Sequence, residues 1–377
     1  MPRLRAFLRF AVDHSLVLPF GAAIALVWAN ASPEKYHGVA HRLEFVVNDV
    51  GMVFFFALAT KEIVEATAPG GALHTWRRAA LPGVAAVGGM IAPALLYVAY
   101  ANLAREPALL RGWAIPCATD IAFSFLVARG IFYRHPAIPF LLLLAIADDA
   151  LGLVILALFY PVGQLHLTIG AAFMSAALAV SFVLRRTGVR IFWAYVIAGG
   201  ALSWIALFWG GLHPALALVP IVPFLPHAAR DPGLFVESPE TFRDPLTQFE
   251  RWWKYPVQIV LFFFGLVNAG VEIHTIAHGT WAVLVAILVG KPIGIGLAVA
   301  IAVGAGLQLP QRLHGRDIIV VGCAAGIGFT VALFFATAAF PPGPLLDQTK
   351  LGALLSIVSA VIAFGAAIAL RVGRFAN

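Results

Sequence analysis

Residues 141–160 read LLLLAIADDALGLVILALFY, an apolar run that carries two adjacent carboxylates, Asp148 and Asp149, near its middle. At about 1.5 Å of rise per helical residue, roughly 20 such residues cross the hydrocarbon core of a bilayer. A charge at that depth costs roughly 2.5–3.5 kcal/mol on insertion scales. Two acids placed together there demand a purpose.

The surrounding chain explains the setting. Of 377 residues, 61% are hydrophobic and 11% charged, whereas soluble domains carry about 25% charged residues. This composition excludes a soluble fold and predicts an all-α polytopic membrane protein. The net charge of +7 is explained by basic loops at a membrane surface, so no nucleic-acid partner is expected. Cys117 and Cys323 are too few for a disulfide framework and lack metal-ligand spacing.

Twelve apolar segments can be counted, near residues 12–31, 45–67, 79–102, 113–130, 137–160, 165–184, 190–207, 209–227, 255–272, 279–304, 317–339 and 350–370. The first follows a basic start, MPRLRAFLRF, and is too long and lacks the cleavage site of a signal peptide, so it reads as a retained helix. Loops on the N-terminal side hold nineteen Lys and Arg residues, the opposite loops five (Lys35, Arg42, Arg105, Arg111 and Lys350), and Lys291 lies inside a span. The positive-inside rule then puts both termini in the cytoplasm. The longest loop, 228–254, mixes both signs and reads as a solvated connector. The whole chain reads as one transporter domain, with helices at about 79–160 and 279–370 as its core and the others as scaffold.

Four acids lie well inside apolar segments: Asp49, Asp120, Asp148 and Asp149; Lys291 is the one base read there. Neighbours on a helix point about 100° apart. One acid of the pair can therefore face a water-filled cavity while the other meets an adjacent helix and a partner such as Lys291. Two carboxylates this close cannot both ionise cheaply without a cation, and they titrate as a coupled unit. A site that holds either a metal cation or protons has the logic of an antiporter.

The fourth segment, GWAIPCATDIAFSFLVA (112–128), places Pro116 just before Thr119 and Asp120. Proline removes a backbone donor and disfavours helix at the preceding residue, which predicts a mid-membrane break. Freed carbonyls are tolerated there only if they line a polar cavity. With the Thr119 hydroxyl and the carboxylates they are hard oxygen ligands, suited to Na⁺ or Li⁺. The eleventh segment, VVGCAAGIGFTVALFFA (320–336), has weak points at Gly322, Gly326 and Gly328. CATDIAFSF (117–125) set against CAAGIGFTV (323–331) matches at Cys, Ala, Ile and Phe, with Ser124 against Thr330 and Asp120 against Gly326. Two interrupted helices at corresponding places in two halves is the pattern of an inverted-repeat transporter.

With VNDVGMVFFF (47–56), GGMIAPALLY (88–97), GWAIPCATDIAF (112–123), AIADDALGLVILALFY (145–160), GLHPALA (211–217), NAGV (268–271), GKPIGI (290–295) and GIGFT (326–330), the sequence resembles the NhaA family of bacterial Na⁺/H⁺ antiporters through most of its length. The resemblance implies a twelve-helix fold with two crossed, interrupted helices and exchange of cytoplasmic Na⁺ or Li⁺ for external protons at the inner membrane. By motif, Asp148 and Asp149 would form the cation and proton site, Na⁺ being held there. Thr119 and Asp120 would line it, Lys291 would pair with it, and Asp49 would be a less central acid. No cofactor is expected beyond the transported ions, and membrane lipids are the surrounding partners.

Two departures from the family pattern stand out. Where the family ends its second helix with G-L-E-[IV]-K-R-E, beside a pH-sensing cluster, this chain reads ALATKEIVEAT (57–67). Glu62 matches the first acid directly, and Glu65 the second only with a shift. Glu250 and His213 match other positions linked to pH response. The connector ASPEKYHGVAHRLEF (31–45) is too short for the β-hairpin that joins protomers in some members, so the homodimer that the resemblance implies would lack that joint.

Two rival readings are weighed. A Na⁺-coupled symporter would need a basic or aromatic substrate pocket, and only Lys291 stands there. An intramembrane aspartyl protease would need Asp120 and Asp148 to share a proton about 3 Å apart, and the chain lacks a YD…GxGD pair.

Overall fold

The computed structural model describes residues 17–227 and 244–376. The N-terminal Arg3, Arg5 and Arg9, the start of the first segment and most of the 228–254 connector lie outside the described residues. Within them the fold is entirely helical, with no strand. Chain order gives α1 (Val17–Ala31), α2 (Pro33–Thr67), α3 (Trp76–Leu103), a 3₁₀ stretch Pro107–Cys117 leading into α4 (Ile121–Phe132), and α5 (Ala137–Phe159). There follow α6 (Leu167–Arg186), α7 (Phe192–Gly210), α8 (Pro245–Asn268), α9 (His278–Gly304), α10 (Gly315–Ala325) and α11 (Phe329–Ala339). The last two are α12 (Pro344–Leu355) and α13 (Val358–Ala369).

Seven helical stretches among the described residues are long and apolar enough to span a membrane, or nine if each of two bent pairs is counted as one. Among the described residues one of the twelve apolar segments does not form an α-helix of its own. The eighth apolar segment, 209–227, folds as 3₁₀ turns at Pro214–Leu216 and Val222–Phe224, because Pro214, Pro220 and Pro223 remove the donors a helix needs. The expected loop at 31–45 is instead helical: Pro33 sits at the first helical position, where a missing N–H costs nothing. The helix runs on through a π-helical turn, Val46–Gly51, into Met52–Thr67. The connector likewise ends earlier than expected, since Asp244 caps α8 by accepting from the Thr247 amide at 3.0 Å and its hydroxyl at 2.9 Å.

Membrane helices gain little from hydrophobic sorting, so close approach through small residues holds them. Gly88 of α3 lies against Gly294 of α9, and Gly21 of α1 against the backbone of α8 near Gly265; a Cβ at any of these would strike the facing backbone. One apolar core, including Leu81, Ile131, Phe140, Ile295, Val320 and Ala363, joins α3, α4, α5, α9, α10 and α13. Tyr36 ties α2 to the end of α8: its hydroxyl accepts from the Gly270 amide at 3.0 Å and donates toward the Val267 carbonyl at 2.8 Å.

Two lysines read from the sequence as loop cations are buried. Lys61 is 2% exposed and Lys350 9%, so Lys291 is not the sole base inside the helical body.

Candidate functional site

Both breaks lie where the prolines and glycines put them. Ile115–Cys117 is a 3₁₀ turn, Ala118 is extended, and α4 begins after Asp120. α10 ends at Ala325 and α11 starts at Phe329. Each pair turns by 53° across its gap. The two gaps meet, and each supplies the groups the other has freed. The Asp120 amide donates to Ile327 O at 2.6 Å, Ser124 Oγ to Ala324 O at 2.9 Å, and Thr119 Oγ1 reaches Ala325 O at 3.0 Å.

Asp120 serves both gaps. Its Oδ1 accepts from the Phe123 amide at 3.4 Å, capping α4, and its Oδ2 accepts from the Thr330 amide at 3.1 Å and from the Thr330 hydroxyl, capping α11. A carboxylate offsets the positive ends of two half-helices here. The remaining carbonyl, Gly326 O, accepts from Ser359 Oγ at 3.1 Å, while the Gly328 amide donates to Ser356 Oγ at 3.2 Å. Buried backbone groups are thus satisfied across three segments.

Asp148 and Asp149 lie at the centre of α5, and their side chains enter different surroundings. Asp148 is 2% exposed and Lys291 is fully buried. Lys291 Nζ donates to Asp148 Oδ2 at 2.7 Å and to Thr119 Oγ1 at 2.6 Å, and Thr119 Oγ1 lies 2.6 Å from the same Oδ2. Having one proton, that hydroxyl accepts from Lys291 and donates either to Asp148 or to Ala325 O. Asp148 Oδ1 has no hydrogen-bond partner. Pro292 follows Lys291 directly, and the π-helical turn Ala286–Gly290 precedes it. A proline inside a helix crowds the carbonyl four residues back, and widening of the turn there sets the lysine's direction.

Asp149 points the other way. It lines a cavity of about 550 Å³ together with Thr119, Asp120, Thr330, Glu62 and Glu250, and the cavity extends to Arg129 in the last turn of α4 and to Lys254 in the first half of α8. Asp149 and Asp148 also border an apolar pocket of about 20 Å³ closed by Phe56, Leu156 and Phe335.

The other expected residues form two separate groups. Lys61 Nζ lies 3.2 Å from Glu62, 2.7 Å from Glu65 and 2.8 Å from Glu250, three carboxylates around one ammonium at the wall of the cavity. His213 is not among them. It sits apart from that cluster, its Nδ1 3.8 Å from Asp49 and its ring 4.7 Å from that of Phe334. Sequence reasoning missed Lys61, the Thr330 contact, Ser356 and Ser359. The pairing of Ser124 with Thr330 in the two matched stretches was the available signal for the second. Nothing marked the serines of the apolar α12–α13 stretch.

Comparison with known proteins places this geometry. The family model described as Na⁺/H⁺ antiporter 1 matches residues 5–368. A protein of Desulfitobacterium hafniense named Na(+)/H(+) antiporter NhaA is 46% identical over 371 residues, covering 95% of this chain and 94% of the relative. Na(+)/H(+) antiporter NhaA 1 of Pelobacter propionicus is 44% identical over 380 residues, covering 98% of this chain and all of the relative. The solved sodium proton antiporter MjNhaP1 of Methanocaldococcus jannaschii superposes over 100% of this chain and 99% of that one with a TM-score of 0.56 at 12% identity, a likeness of fold. With its family motif matched from residue 5 to residue 368, this multi-pass membrane protein belongs to the Na⁺/H⁺ antiporter 1 family.

Proposed function

We propose that this protein exchanges cytoplasmic Na⁺ or Li⁺ for external H⁺ across the bacterial inner membrane, with Asp149 as the principal cation ligand. The observation that carries the reading is the split environment of the two acids. Asp148 is held by Lys291 and Thr119, while Asp149 faces the large cavity beside Thr119, Asp120 and Thr330. A cation arriving from the cavity meets a carboxylate, hydroxyl oxygens and a break in the helices, all hard donors.

In this mechanism Asp149, beside the Asp148–Lys291 pair, holds either a proton or the ion, so an arriving cation displaces that proton and leaves the site's net charge unchanged; a second proton leaves only if Lys291 gives up its own. Asp148 either releases Lys291 or offers Oδ1, its unpartnered oxygen, to the ion. If two protons leave for each Na⁺, net charge crosses the membrane. A potential then drives the cycle by about 2.3 kcal/mol per charge per 100 mV. The helices at about 79–160 and 279–370 act as the moving core and the rest as scaffold, with the cavity facing the cytoplasm and both termini on that side.

The Lys61 cluster, at the wall of that cavity, is the proposed pH-responsive group, with Glu62, Glu65 and Glu250 gathered around one ammonium. The protease reading loses ground on one observation: both oxygens of Asp120 accept from Phe123 and Thr330, so Asp120 is engaged in the crossing. The test is purified protein in proteoliposomes with an imposed pH gradient. Na⁺ or Li⁺ should collapse the gradient and K⁺ should not. No cation-dependent collapse between neutral and alkaline pH would end the proposal.

A further inference from the structure

Lys291 is held by more than its side-chain bonds. The helix that carries it, α9, packs against both α3 and α10, and around Lys291 each neighbour touches its backbone. A methyl added at Gly290 would lie 2.7 Å from Cα of Pro93 in α3, and one added at Gly322 of α10 would lie 2.7 Å from Cα of Pro292. Nonbonded carbons rest about 3.5–4.0 Å apart, so at both contacts main chain lies directly on main chain. A side chain can turn aside to absorb a displacement. Two close-packed backbones pass it on.

The two neighbours differ in what else they hold. The Met90 carbonyl of α3, in the turn before Pro93, accepts from Cys117 Sγ at 3.3 Å. That bond fixes α3 to the 3₁₀ turn that leads into Thr119, so α3 steadies both sides of the Lys291–Thr119 contact. α10, by contrast, belongs to the second break. Its last carbonyls, Ala324 O and Ala325 O, accept from Ser124 and Thr119, and Gly322 stands just before them in the chain. Pro292 has no N–H to bond within its helix, and the widened turn Ala286–Gly290 precedes it. The stretch of α9 that meets Gly322 is therefore the part least held by its own helix.

We infer that Gly322 is a positioning residue for the exchange: its bare contact with Pro292 ties the Lys291 ammonium to the place of α10, so a shift of that broken helix alters how tightly Asp148 holds Lys291. The inference rests on the exchange reading above and adds to it what sets the strength of the ion pair. The titratable groups that face Lys291 are Asp148 and Asp149 of α5 and Cys117 of the 3₁₀ stretch. Gly322 and Pro93 bring no charge, so they act on Lys291 only by placing it. Coulomb attraction grows as separation falls, and at 2.7 Å from Asp148 a small displacement of the ammonium is felt. An ion that lodges at the crossing and displaces α10 thereby loosens or tightens Lys291 in the same step.

The experiment compares wild type with Gly322→Ala and with Gly296→Ala, whose added methyl would meet nothing within 4 Å among the described residues. Na⁺-driven gradient collapse is measured in proteoliposomes over a series of pH values and Na⁺ concentrations. An ammonium held less tightly by a carboxylate gives up its proton at lower pH. Gly322→Ala should therefore lower the pH of half-maximal exchange by at least about half a unit and change KM for Na⁺ several-fold, while Gly296→Ala overlays wild type. Pro292→Ala, which relieves the contact and adds no bulk, should move the profile as well. A second readout needs no transport. The fall in Tm caused by Gly322→Ala should shrink by about half or more when Asp148→Asn and Lys291→Met are also present, because no ion pair then resists a shift of α9. A folded Gly322→Ala or Pro292→Ala protein with the wild-type pH profile and KM would overturn the inference, and so would an equal fall in Tm in both backgrounds. Wild type that ignores Na⁺ would count against the exchange reading instead, and the Tm comparison would still decide the positioning.

Discussion

Lys291 Nζ lies 2.7 Å from Asp148 Oδ2, with the ammonium fully buried and the carboxylate nearly so. The pair joins α9 to α5 directly beside the crossing of the two broken helices, with Thr119 as the shared third member. In so dry a place the partners stabilise each other only as a pair, since either alone leaves an unpaired buried charge.

Stability should therefore be non-additive at this pair. Lys291→Met is expected to cost about 3–5 kcal/mol, the usual penalty for breaking a buried ion pair from one side. Asp148→Asn with Lys291→Met should recover a large part of that loss, because neither charge then remains. Thermal unfolding in detergent of the two single variants and the double variant checks this, and additive losses would show that the pair is not coupled.

Asp149→Asn keeps the shape of the site and removes its open carboxylate. Cation-driven gradient collapse should fall by at least about tenfold, or ~1.4 kcal/mol. Thermal stability should hold or rise, because the amide cannot bring a charge into this partly buried position. Exchange at the wild-type rate would move the ligand role elsewhere.

Thr330→Val deletes one of the donors to Asp120 but keeps the backbone amide. Losing a hydrogen bond to a charged group costs about 1.5–3 kcal/mol. Both stability and turnover should drop, and Thr330→Ser should restore them. If the valine variant behaves like wild type and the serine variant does not, packing of the methyl and not the hydroxyl matters at the crossing.

Lys61→Ala would leave Glu62, Glu65 and Glu250 facing one another without their shared cation. The rate of exchange against pH should change in shape, while Lys61→Arg stays close to wild type. Superimposable pH curves for Lys61→Ala, Glu65→Gln and wild type would remove this cluster from pH response.

An imposed potential, negative on the proton-receiving side, should accelerate exchange if more than one proton moves per Na⁺. Rates with and without the potential, measured at one fixed pH gradient, decide between electrogenic and neutral stoichiometry.

The sequence alone determined the class and the chemistry. Long apolar runs force helices, because a bilayer offers no partner for free backbone groups. Charges inside such runs are costly enough that Asp120, Asp148, Asp149 and Lys291 stood out without any structure. Pro116 and the glycines near 326–328 located both breaks, since their effect on the backbone is local. What needed tertiary structure were matters of partnership. Lys61 could not be read as buried, because its burial depends on Glu250 from a helix 189 residues away. Ser356 and Ser359 brace the second break from another segment. His213 parted from the glutamates because the proline-rich segment around it packs on the π-helical turn of α2, beside Asp49. The opening pair shows both sides at once: adjacency on a helix dictated that Asp148 and Asp149 diverge, and only the packing of α9 on α5 decided that Lys291 meets Asp148 and leaves Asp149 to the cavity.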